Sequence, residues 1–115
     1  MSLLNILERN VAPDITVLEL SGRLALEHES QRIETRVDEL AKSGPLKLVL
    51  DLTGVDYIDS AGAGMIAMMA GKLNEEGGSI AVVAPEGRVL QLLKLTGMSG
   101  ILQVHATVHA AAAAV

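Results

Sequence analysis

The chain opens with two stretches of β-like content, LLNILERN (residues 3–10) and DITVLEL (residues 14–20), separated by Pro13-Asp14. Proline presets a turn dihedral and aspartate bonds its own backbone, so the pair predicts a short antiparallel hairpin. The period then changes. In HESQRIETRVDELAKSG (28–44), Ile33, Val37, Leu40 and Ala41 recur at helical spacing with charges on the other side, and Gly44-Pro45 closes this amphipathic helix. LKLVLDL (46–52) is a nearly continuous aliphatic run of the kind buried on both faces of a parallel sheet. After VDYIDSAGAGMI (55–66) begins, apolar residues dominate from Ser60 to about Asn74 and Gly77-Gly78 stops the segment, predicting a second helix. SIAVVA (79–84) predicts another buried strand. Pro85 opens a third helix, with Val89, Leu90, Leu92, Leu93 and Leu95 before Gly97. ILQV (101–104) is a last short strand, and ATVHAAAAAV (106–115) has the helix propensity of alanine. The order β-β-α-β-α-β-α-β-α predicts an α/β fold in which one small domain spans residues 1–115. A mostly parallel central sheet with right-handed crossovers is opened by the N-terminal hairpin and covered by about four helices.

Composition narrows the function. At 115 residues and 50% hydrophobic, the chain supports one domain with a real core. A formal net charge of −5 repels polyphosphate, and Tyr57 is the single aromatic, so nucleic acid has neither charge nor stacking platform to bind. With no cysteine, disulfides, thiol catalysis and thiolate metal sites are excluded. MSLLNILERN has no basic stretch followed by an apolar core, so it does not read as a signal peptide. The longest apolar run, Ala61 to Leu73, contains three glycines and Lys72 and falls short of the roughly 20 residues of a spanning helix. The expectation is a soluble, cytoplasmic protein without membrane insertion.

Candidate chemistry gathers at Ser60. Gly62, Gly64 and Ala67 satisfy G-x-G-x-x-[GA] at a strand-to-helix junction, where a dinucleotide pyrophosphate can sit, with Glu86 near the place of a ribose-binding acid. A P-loop is excluded, because Ile66 and Leu73 stand where Gly71-Lys72 would need a glycine and a hydroxyl. A nucleophilic-serine elbow has Gly62 after the serine but Ile58 where its first glycine belongs. Its base would come from His28, His105 or His109, oriented by Asp51, Asp56 or Asp59. Ser60 also fits the position of a helix N-cap, a role worth about 1 kcal/mol. A cap leaves AGAG unexplained, since two glycines in a first turn cost about 1 kcal/mol each relative to alanine. A turn bare of side chains suits close approach by another protein.

LVLDLTGVDYIDSAGAGMI resembles the signature of the STAS domain family, in particular the bacterial anti-sigma factor antagonists. The similarity continues through LELSGRL before the first helix and GGSIAVVAPEGRVLQLLKLTGMSGIL after the signature. The resemblance implies a switch and no enzyme: Ser60 is phosphorylated by an anti-sigma factor that is a serine kinase of the GHKL type. The unmodified antagonist binds that kinase and frees the sigma factor, regulating transcription by partner-switching; a PP2C-type phosphatase reverses the modification. ATP belongs to the kinase, so no cofactor is expected here. The implied partner-binding set is Asp59, Ser60, Ala61, Gly62, Ala63, Gly64 and Met65, with Arg23 and Leu24 flanking it. Met65, Met68 and Met69 are each open to two readings, core packing or an adaptable docking face. Three positions depart from the family pattern: Ala25 stands where many antagonists have aspartate, Ala61 where a hydroxyl residue is common, and Ala63 where leucine often lies. Ala61 leaves Ser60 as the single acceptor in the turn. Other STAS roles consistent with the resemblance are a stressosome component or the small subunit of a lipid-transport ABC system.

Overall fold

The computed structural model of the protein describes residues 4–24 and 27–115, of which 27–30 by backbone alone. Its centre is β3 (Lys47–Ile58), which pairs in parallel with β2 (Ile15–Leu24) on one side and β4 (Ser79–Val83) on the other. β1 (Leu4–Ala12) closes one edge antiparallel to β2, and β5 (Val104–His105) closes the other in parallel with β4, giving the order β1-β2-β3-β4-β5. The expected hairpin, turning at Pro13-Asp14, and the mostly parallel sheet are both present. Four helices cover it: α1 (Glu27–Ala41), α2 (Ser60–Glu75), α3 (Arg88–Leu95) and α4 (Val108–Ala114).

The sheet is buried on both sides by unequal layers. Leu18, Leu20, Leu48, Leu50, Leu52, Ile80 and Val82 face a cluster completed by Ile33 and Val37 of α1, Ile66, Met69 and Leu73 of α2, and Val89 and Leu93 of α3. The intervening residues Val17, Val49, Ala81 and Val83 point to the opposite face, where Ala111 of α4 covers them. This is why LKLVLDL is aliphatic at consecutive positions: adjacent strand residues enter different cores.

Three boundaries differ from the sequence pattern. β3 continues six residues past Leu52, because register shifts against β2 between Glu19 and Ser21 and between Gly22 and Arg23 insert extra β3 residues. Bulges of this kind change the face-to-face spacing from two to three, so Leu52, Val55 and Ile58 stay in the same core while the alternation is lost. At the first bulge the Asp51 carboxylate accepts hydrogen bonds from the Thr53 amide and hydroxyl, a local turn that gives this buried aspartate a structural role. The third helix starts at Arg88, not Pro85, because Gly87 at φ 150° separates them. Of ILQV only Val104 joins the sheet, since a 3-10 turn at Met98–Gly100 precedes it.

Ion pairs tie α1 down. Arg36 grips Glu8 of β1 through two bonds of 2.6 and 3.0 Å and also reaches Glu39, while Lys72 of α2 holds Asp38 at 2.7 Å. The Arg36 hydrogen bond holds the Glu8 carboxyl below the usual glutamate range, opposed by burial and helped by the guanidinium charge. A depressed carboxylate stabilises the fold above its unfolded pKa, about 4.3, and that contribution is lost as pH falls through the folded value. Urea titrations should therefore separate wild type from Glu8→Gln at neutral pH, with the difference shrinking below about pH 4. Leu50→Ala, at a fully buried central position, should cost about 2–5 kcal/mol in the same assay.

Candidate functional site

β3 delivers the chain to Asp59, whose backbone is extended at φ −111° and ψ 179°, and α2 begins at the next residue. The Asp59 carboxylate accepts the Gly62 amide at 2.8 Å, and its carbonyl accepts the Ala63 amide at 3.0 Å. Asp59 is thus the N-cap, and the expectation that Ser60 fills that role is corrected. The exchange matters chemically. Aspartate satisfies a first-turn N–H and places a negative charge at the positive end of the helix, so the serine next to it has no capping duty. Ser60 is exposed, and its hydroxyl has no hydrogen-bond partner among the described residues.

The two glycines of AGAG have different causes. A Cβ on Gly62 would collide with the carbonyl oxygen of Leu24 at the end of β2, and Gly62 is buried. Its smallness is demanded by this contact within the chain. A Cβ on Gly64 would meet nothing within 4 Å, so the fold does not require that glycine. Ala61 is exposed beside Ser60.

Burial sorts the remaining candidates. Leu24 and Ala63 are fully buried and Met65 is 8% exposed, all in the main core, so within the expected partner-binding set these three lie beneath the surface that Ser60 and Ala61 present. Of the methionines, Met65 and Met69 are core and Met68 stands 72% exposed on the outer side of α2. Arg23 is exposed and lies over the Tyr57 ring, 4.7 Å from its centroid, where β2 and β3 bring the two residues into register. Tyr57 is 45% exposed, and it is the surface aromatic that sequence pattern did not assign to the site. Its signal was present in the broken alternation of GVDYI, where a bulged strand turns a residue outward. Beside it, Asp56, Tyr57 and Ile58 border a shallow cleft whose other wall is Arg88, Gln91 and Leu92 of α3.

Among the described side chains, neither His105 nor His109 lies beside Ser60. His105 pairs in register with Val83, which in turn pairs with Asp51, whereas Ser60 lies beyond Ile58 at the far end of β3. His109 is on α4, across the sheet. Glu86 sits in the turn before α3. The side chain of His28 and the whole of Ala25 lie outside the described residues. Among the described residues no three histidine or acidic side chains converge on a metal position, and no helix is long and apolar enough to cross a membrane.

The sequence model of the STAS domain matches residues 7–111. The chain belongs to the STAS domain family. A Thermotoga maritima protein with the provisional name of anti-sigma factor antagonist is 28% identical over 101 residues, covering 88% of this chain and 89% of that one. The anti-sigma F factor antagonist of Paenibacillus polymyxa is 28% identical over 92 residues, 79% of this chain and 78% of its own. In three dimensions, the crystal structure of an anti-sigma factor antagonist from Mycobacterium paratuberculosis matches with a TM-score of 0.84 at 25% identity, over 97% of this chain and 93% of that one. The STAS fold expected from the signature is the fold observed.

Substitutions in this STAS domain should separate the roles just described. Asp59→Ala is expected to lose about 1 kcal/mol with the cap, read from urea midpoints. Gly62→Ala should be destabilising through Leu24, whereas Gly64→Ala should gain up to about 1 kcal/mol. Equal effects at the two glycines would contradict the assignment.

Proposed function

We propose that this STAS protein is an anti-sigma factor antagonist switched at Ser60. Its partner is an anti-sigma factor that is itself a serine kinase of the GHKL type, and a PP2C-type phosphatase restores the unmodified form. The observation that carries the proposal is the uncommitted, exposed hydroxyl of Ser60 on a helix whose cap is supplied by its neighbour. Such a hydroxyl can attack the γ-phosphate of ATP held by the partner, giving a phosphoserine and ADP without disturbing any bond of the domain.

The switch follows from charge. Phosphorylation adds about −1.5 to −2 charges at pH 7, next to the Asp59 carboxylate and in a chain of net charge −5. The helix N-terminus tolerates an anion within the domain. A partner packed closely on Ala61 and Gly64 must desolvate that charge without a counter-ion, so the complex weakens while the fold persists. The same docking face takes in Arg23 and Tyr57, with Met68 further along α2. No enzymatic activity or cofactor of the protein's own is part of this reading.

Incubation with the cognate kinase and ATP should add one phosphate, located on Ser60 by mass spectrometry and absent from Ser60→Ala. In calorimetry with the same kinase, Ser60→Asp should bind at least about tenfold more weakly than wild type, a loss of about 1.4 kcal/mol. Modification that persists in Ser60→Ala would refute the site.

A further inference from the structure

β1 is the outer strand of the sheet and, among the described residues, pairs with β2 alone. From Asn5 to Asn10 its outward backbone groups have no partner among the described residues. Exposed edges are ordinarily guarded by shortness, proline, lysine or a bulge, because an open row of N–H and C=O groups templates another strand. Here the guards are weak. β1 runs nine residues without proline or lysine, and its register shift comes only between Asn10 and Ala12. Both of its charges are tied back over their own domain, Arg9 to Glu19 at 3.1 Å and Glu8 to Arg36 at 2.6 Å. Between the ends, next to Glu8, Leu7 is 63% exposed.

We infer that β1 pairs with β1 of a second copy of this chain, antiparallel about a twofold axis through Leu7. Directly opposed residues of an antiparallel pair share a face, so a symmetric ladder must centre on one residue. Charge selects which. A centre at Glu8 or Arg9 sets like charges against each other, and a centre at Ile6 leaves Leu7 against Asn5. The Leu7 centre buries leucine on leucine, places Asn5 opposite Arg9, and leaves Glu8 opposite Ile6 with its Arg36 bridge intact. α1 lies over this edge, tied by Arg32 to the Leu4 carbonyl and by Arg36 to Glu8. The same axis sets α1 antiparallel to its copy, and Arg32 and Glu39, seven residues apart and so on one helix face, then meet as opposite charges across the junction. The two Ser60 turns end up at opposite ends of a continuous ten-stranded sheet. One strand pair with a helix flank is smaller than a standard interface of about 800 Å² per partner, so the association is reversible and concentration-dependent.

Sedimentation of the purified full chain from micromolar to millimolar concentration should show the average mass rising from one chain towards two. Leu7→Lys should remain a monomer throughout with an unchanged melting temperature, since Leu7 contributes little to its own core. In a chain with no native cysteine, Leu7→Cys should form a disulfide-linked dimer under mild oxidation. Opposed Cα atoms about 4.5–5.5 Å apart fall within the disulfide range, whereas Asn5→Cys, opposite Arg9, should not cross-link. A monomer at every concentration, a dimer insensitive to Leu7→Lys, or equal cross-linking of the two cysteine variants would each overturn the inference.

Discussion

The contact between Gly62 and the Leu24 carbonyl sets the geometry on which the candidate site depends. Leu24 ends β2 fully buried, and Ile58 ends β3 beside it, so the chain must leave the sheet and start α2 directly on top of the strand that it has just accompanied. Only a residue without a side chain lets the first turn settle that low. Once it has, helical periodicity decides the rest. Ala63, Ile66, Met69 and Leu73 fall into the core, and Ser60, Ala61, Met68 and Lys72 fall outside it.

Asp59 shapes what a charge on Ser60 would experience. Its carboxylate already uses the Gly62 amide, so the helix end that attracts an anion also holds one. An added phosphate is held near the turn by the dipole and pushed outward by its neighbour. Both influences direct it into the space that a docked protein would occupy. The Arg23 guanidinium on this flank lies over Tyr57.

Legibility in the sequence followed regularity. The hairpin and α1 were readable because their periods are clean and their ends carry Pro13-Asp14 and Gly44-Pro45. β3 was readable only to Leu52, because there the continuous aliphatic run ends and two bulges replace a spacing of two by a spacing of three, which matches neither a run nor an alternation. The cap was misplaced by one residue since Asp59 and Ser60 are both good caps, and only backbone geometry chooses between them. For the methionines, Met65 and Met69 are four residues apart and share a helix face with Met68 to one side, and only the packing shows which face is inward. The family signature pointed to Ser60 without resolving any of this. Leu24, Ala63 and Met65 belong to the signature region as packing, and Tyr57 and Met68 reach the surface.

The thin layer formed by α4 makes the two sides of the sheet unequal in another respect. Its seven residues seal Val17, Val49, Ala81 and Val83 with Ala111, the one buried residue of the helix, and with the partly buried Val108 and Ala112. Detaching it forfeits little dispersion and little hydrophobic area compared with lifting α1, α2 or α3. Amide protons guarded by that helix thus have a local opening route cheaper than global unfolding, on the face away from Ser60.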